Sequence, residues 1–167
     1  MTDGDDMSDD VIAAGPFMDR AVKLALERMH ARSGGPFGAV IVRDGEIIAE
    51  GWNQVTSCND PTAHAEVVAI REACARLKVF NLPDCDIYAS CEPCPMCLGA
   101  IYWTRLRRIY YANTRVEAAA IGFDDEFIYK EIPLAPEARS IPGIRLVTPG
   151  SHLPFAQWAE LPDKTRY

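Results

Sequence analysis

Met18, Ala21, Val22, Ala25, Leu26 and Met29 recur at the spacings of one helix face, which predicts an amphipathic helix over residues 18–29 ended by Ser33, Gly34, Gly35 and Pro36. Two β-rich runs follow at 37–42 and 46–52, joined by Asp44 and Gly45, the dipeptide that suits a type I′ turn. They read as an antiparallel hairpin. Asn59, Asp60, Pro61 and Thr62 then supply capping residues for a second helix over 63–77, with Ala65, Val68, Ala69 and Ala73 on its buried side. A strand at 86–90, a third helix opened by Pro93 and Pro95, a strand at 108–112 and a fourth helix over 116–121 complete the regular part. Beyond Gly122, Pro133, Pro136, Pro142, Pro149, Pro154 and Pro162 divide the chain into short pieces, and only a strand at 144–147 and a helical turn near 155–160 are read there. This order predicts an α/β fold: a three-layer α/β/α sandwich, its central sheet mixed and of about five strands, with helices on both faces.

Composition narrows the class. The chain has 167 residues, 49% hydrophobic, which points to one domain over 14–167 able to bury roughly 70% of its unfolded surface without disulfides. No run approaches the roughly 20 apolar residues that span a bilayer, and the first ten residues are acidic where a secretory signal would be basic and then apolar. A soluble, cytoplasmic protein without a membrane partner is expected. Asp3, Asp5, Asp6, Asp9 and Asp10 mark residues 1–13 as a disordered acidic tail. They contribute five of the charges in a net −7, so the body is close to neutral and its one basic cluster is Arg105, Arg107 and Arg108. That balance disfavours nucleic acid as a partner.

The chemistry-bearing residues gather at two predicted helix starts. His64-Ala65-Glu66 opens the second helix and Pro93-Cys94-Pro95-Met96-Cys97 opens the third. Together they match the H-x-E and P-C-x-x-C pattern of zinc deaminases, in which one His and two Cys hold Zn²⁺ while the Glu carries protons. Cysteines three apart in a helical first turn lie on one side and can reach one metal, and the positive end of the helix favours their thiolates. Residues two apart on an ideal helix diverge, so His64 and Glu66 share a site only if they occupy the irregular first turn. Two other readings stay open here. Cys91 could join His64, Cys94 and Cys97 in a closed structural zinc site, which would leave no position for water. The C-x2-C-x2-C run could also begin an iron–sulfur motif, although Ile101 stands where its next Cys belongs. Cys58, Cys74 and Cys85 read as small buried residues, Cys58 near the site.

Beyond these motifs, the stretches 34–40, 59–66, 90–103 and 122–129, with Asn53 and the terminal 164–167, resemble the bacterial guanine deaminases of the cytidine deaminase fold. The resemblance runs from about Phe17 to the C-terminus. It implies one Zn²⁺ per subunit held by His64, Cys94 and Cys97, with Glu66 as proton shuttle. It further implies that Asn53 hydrogen-bonds a free purine base, that Phe37, Ala65 and Trp103 line its pocket, and that Asp125 contacts the amine or assists proton transfer. The resemblance also implies a homodimer that swaps C-terminal segments, so that Tyr167 would close the partner's site. Each pocket residue has a plainer alternative: Phe37 and Trp103 as core, Asn53 as a turn residue, Asp125 as one of a solvated acidic group. A tRNA adenosine deaminase, a deaminase of another free base such as cytosine, and a structural-zinc interaction module are the competing functions.

Overall fold

The computed structural model describes residues 6–166, with side chains described from residue 13. The sheet has the order β2-β1-β3-β4. β1 (Gly38–Arg43) and β2 (Glu46–Trp52) form the expected antiparallel hairpin, and Asp44 and Gly45 adopt φ of 51° and 78°, the positive pair a type I′ turn requires. β1 is also antiparallel to β3 (Cys85–Cys91), whereas β3 runs parallel to β4 (Arg108–Asn113), so the sheet is mixed.

Alternation along β1 divides the core in two. Ala39 and Ile41 face α3 (Ala65–Leu77) and α4 (Pro95–Trp103), where they pack with Ala69, Ala73, Ile87 and Ile101. Val40 and Val42 face the other way and pack with Tyr88, Ala14, Phe17 and Met18 of α1 (Asp6–His30). Every residue of β3 is buried, as a strand covered on both faces must be. α1, the sheet, and α3 with α4 are thus the three layers of the predicted sandwich. Between α3 and β2 the approach is close: a Cβ on Gly51 would stand 2.2 Å from the Ala65 carbonyl oxygen. Only glycine permits the first turn of α3 to lie on the sheet there, and that turn carries the chemistry.

Several expectations need correction. α1 begins at Asp6 and not near residue 18, so residues 6–13, expected as disordered tail, form its first turns; residues 1–5 lie outside the described residues. Its apolar contact with the sheet already starts at Ala14. The described sheet has four strands, not five, because 144–147 forms none: Ile144 and Leu146 are 86% and 84% exposed with no strand beside them. A short α2 (Val55–Cys58), α5 (Arg115–Ala120) and α6 (Glu126–Glu131) follow the main elements in chain order, and α2 and α6 were beyond the periodicity because they are too short to show one. The chain divides into two compact units, up to Glu126 and from Phe127. The second unit holds the body of α6, a 3₁₀ turn at Pro136–Ala138 and α7 (Leu153–Glu160), which extends the helical turn expected at 155–160. Among the described residues no helix is long and apolar enough to cross a membrane.

Candidate metal and active site

The helix starts at α3 and α4 are built alike. His64 is the N-cap of α3 and Cys94 the N-cap of α4, both with extended backbone (φ −69°, ψ 155° and φ −65°, ψ 168°). Each carbonyl accepts the first helical hydrogen bond, from Val68 N at 2.9 Å and from Leu98 N at 2.8 Å. Neither side chain caps its own helix. Instead they turn toward each other. His64 Nδ1 lies 3.5 Å from Cys94 Sγ and 3.5 Å from Cys97 Sγ, and the two sulfurs are 3.5 Å apart.

The donor set suits zinc. With Zn–S of about 2.3 Å and Zn–N of about 2.0–2.1 Å, tetrahedral angles place ligand atoms roughly 3.5–3.8 Å apart, close to the spacing found. The protonation states agree. The hydrogen bond it shares with Cys97, reinforced by His64, pushes the Cys94 thiol down to about 4, so this sulfur is a thiolate. The same bond, together with burial, pushes Cys97 upward: two thiolates this close need a cation between them.

Because His64 is a cap and not a helical residue, Glu66 falls in the same first turn and on the same site, which meets the condition set by the sequence spacing. Glu66 is 8% exposed, and burial pushes its carboxyl up to about 7. Ala65 between them is fully packed at 1% exposure. Cys91 stands apart. Its thiol donates to the Thr114 carbonyl at 3.7 Å, and among the described residues the metal-binding group is His64, Cys94 and Cys97 alone. The closed Cys3His arrangement is therefore not formed. Cys58 is exposed on α2, donating to Gln54 Oε1, and not at the site.

Asn53 is buried, and its Oδ1 accepts from Gly35 N (3.4 Å) and Val55 N (3.3 Å). The amide thereby holds the turn and keeps its NH₂ as a donor. A Cβ on Gly34 would collide with the Asn53 carbonyl, so this loop closes only with glycine there. Phe37 meets Phe123 edge to face, centroids 4.8 Å apart. Asp125 Oδ1 is buried and accepts no hydrogen bond, while burial and the nearby Cys94 raise its carboxyl. Trp103 ends α4 and is 64% exposed, so within this chain it is not enclosed as a pocket wall. Tyr167 lies outside the described residues.

Sequence reasoning assigned no role to Phe123 or Glu92, yet Phe123 packs on Phe37 and Glu92 bridges β4 and the start of α5 beside the zinc loop. One signal for the first was available: Thr114-x-x-Glu117 is a capping box that fixes where α5 starts, and hence where Phe123 emerges.

Residues 13–113 match the family described as the cytidine and deoxycytidylate deaminase zinc-binding region. The guanine deaminase of Bacillus subtilis is 58% identical over 152 residues, 90% of this chain and 97% of that protein. Its solved structure gives a TM-score of 0.90 at 55% identity, covering 92% of this chain and 98% of that one. A solved guanine deaminase from Nitrosomonas europaea gives 0.63 at 34% identity, covering 65% and 63%. The tRNA-specific adenosine deaminase of Agrobacterium fabrum is 42% identical over 62% of this chain and 71% of its own length. With a zinc-binding triad at two helix starts and similarity to a guanine deaminase over nearly its whole length, the chain belongs to the zinc-dependent cytidine and deoxycytidylate deaminase family, in its guanine deaminase branch.

Proposed function

We propose that this protein deaminates free guanine, with water, to xanthine and ammonia. The observation that carries the reading is coverage: similarity to a guanine deaminase extends over 90% of the chain, while the tRNA-specific relative named above matches 62%. The near-neutral body agrees with a small neutral substrate and disfavours a folded RNA.

His64, Cys94 and Cys97 are the residues that hold the zinc. When bound, the ion supplies the Lewis acidity that lets water lose a proton near pH 7. Glu66 is the proton carrier. Its carboxylate takes the proton from water and gives it to the ring nitrogen beside the amine-bearing carbon as hydroxide adds there. It then moves the remaining hydroxyl proton to the amine, which leaves as ammonia. A carboxyl that burial has raised to about 7 is matched to both directions of transfer. Asn53, its oxygen engaged by two backbone amides, presents its NH₂ to a purine acceptor atom. Phe37 and Ala65 bound the ring, and Asp125, with an unpartnered buried oxygen, accepts from the amine.

The second unit takes part through a dimer. Ile141, Ile144, Leu146 and Phe155 are each more than 80% exposed, and an apolar segment of this kind is stable when a partner covers it. A cytoplasmic homodimer that exchanges C-terminal segments, with Trp103 and Tyr167 enclosing the base across the interface, accounts for that exposure.

Ammonia release from guanine, cytosine, adenine and a tRNA anticodon stem-loop decides the substrate. Guanine should exceed the other bases by powers of ten, because a site built to pair particular ring atoms leaves its own groups unpaired with any other. Preference for the stem-loop would move the chain to the tRNA branch, and release from none would leave a zinc module without this activity.

A further inference from the structure

The zinc loop and the loop that carries Asp125 are joined by a set of contacts that the reaction itself does not use. At the end of β3, the Ser90 carbonyl accepts from Asn113 Nδ2 at 2.8 Å, and Glu92 N donates to the Asn113 carbonyl at 2.8 Å. Cys91 donates to the Thr114 carbonyl. The Glu92 carboxylate then reaches the first residue of α5: Oε2 accepts from Arg115 N at 3.0 Å, and Oε1 lies 3.9 Å from the Arg115 guanidinium. Cys94, a zinc ligand, is two residues further on.

α5 has six residues, too few to persist without tertiary support. Its C-terminal end delivers the pocket. Phe123 N donates to the Ala118 carbonyl at 3.0 Å, its ring meets Phe37, and Asp125 follows two residues later. Ala118 is the one buried side chain of the helix, which leaves its orientation to the contacts at its start. Among these, Glu92 supplies a side-chain acceptor from outside the helix.

We propose that Glu92 is a positioning residue: by holding the first N–H of α5 it registers the Phe123–Asp125 segment against the zinc loop. The proposal rests on the assignment of Asp125 to the guanine site. It predicts that the carboxylate acts as an acceptor and not through its charge, so Gln should replace it and Ala should not.

Four single variants, Glu92→Ala, Glu92→Gln, Arg115→Pro and Asp125→Asn, and the Glu92→Ala/Asp125→Asn double variant test this in the full-length protein. Arg115→Pro removes the donor itself at a first-turn position where proline fits the helix, after a residue that is already extended (Thr114 ψ 161°). Zinc content should remain at the wild-type level in all four. Amide exchange over residues 115–125 should quicken about tenfold in Glu92→Ala and Arg115→Pro, and stay near wild type in Glu92→Gln. With guanine, kcat should fall about tenfold or more in Glu92→Ala, because small displacements of an aligned group are costly. In the Asp125→Asn background the same change should cost less than about twofold, since residues acting through one another are not additive. Unchanged exchange in both Glu92→Ala and Arg115→Pro, zinc loss from Glu92→Ala, or multiplying losses with Asp125→Asn would each overturn the proposal. A wild-type protein inert toward guanine would instead end the functional reading, and the exchange experiment would still judge Glu92.

Discussion

The starts of α4 and α5 lie some twenty residues apart in one unit and solve the same problem in opposite ways. Both helices begin with amide groups that lack an intrahelical partner. At α5, Thr114 and Glu117 satisfy them reciprocally: Glu117 N donates to Thr114 Oγ1 at 3.3 Å and Thr114 N to Glu117 Oε2 at 2.7 Å. At α4, and likewise at α3, the cap position holds a metal ligand whose side chain makes no capping hydrogen bond. A cap is worth roughly 0.5–2 kcal/mol, so the metal-site helices give up a stability device that α5 keeps. Where the chain departs from the local rule, it does so for the zinc triad, and that departure is what marks the site.

The strongest way to break this contrast is to restore a cap at α4. Serine is a good N-cap and a poor zinc ligand, so Cys94→Ser should abolish zinc retention and turnover while making the metal-free protein about 1 kcal/mol more stable than metal-free wild type. Metal analysis and urea midpoints after chelation measure both effects. Cys91→Ser, outside the triad, should keep zinc and activity; loss of zinc there would return the closed four-ligand site to contention.

Next in size is Glu66, the proposed proton carrier, held in the same turn as His64. Glu66→Gln should keep zinc and fold while turnover drops by roughly 10²–10⁴, the usual worth of general acid–base catalysis. Near-normal guanine turnover in that variant would refute the mechanism.

How much of this was legible in the sequence follows from the same contrast. The metal-binding group His64, Cys94 and Cys97 could be read because the chemistry demands particular residue types at particular spacings, and two helix starts fit them. The sheet could be read where burial is two-sided, as in β1 and β3, or near-alternating, as in β2, and the Asp44-Gly45 turn is where the dipeptide places it. Phe123 could not be separated from a core aromatic, because an apolar ring has the same pattern in a core and in a pocket wall. Nor could the strand expected at 144–147 be tested by alternation alone: Ile144 and Leu146 have the spacing of a strand, but a strand needs a hydrogen-bonding neighbour, which lies outside its own sequence. Asp60 was read as a helix cap, yet its Oδ1 accepts from Thr62 N at 2.8 Å and from Thr62 Oγ1 at 2.7 Å, closing a turn before the helix starts.

A smaller effect tests the α5 side of the comparison. Thr114→Ala removes one half of the capping box and should cost about 1 kcal/mol, seen as faster amide exchange within α5 at unchanged zinc content. Exchange as slow as wild type would mean that Glu92 and Ala118 hold the helix without its cap.

The smallest expected effect lies on the opposite face of the sheet, where α1 is tied to β2 by charge and no metal is near. Arg20 grips Glu50 with two short hydrogen bonds, Nε to Oε1 and Nη2 to Oε2, each 2.6 Å. The guanidinium holds the Glu50 carboxyl below its ordinary value. The unfolded chain therefore takes up this proton first as pH falls. Glu50's contribution to stability is fully present above the unfolded value, near about 4.3, and is lost as pH drops through the lower native value. The pair is about a third exposed (side chains 30% and 35%), so solvent screening limits it to about 0.2–1 kcal/mol. Urea denaturation of wild type and Glu50→Gln should show that gap at pH 7 and a shrinking one as pH falls below about 4.3, with added salt narrowing it further. A gap that does not change with pH would mean that Glu50 acts on α1 through packing and not through its charge.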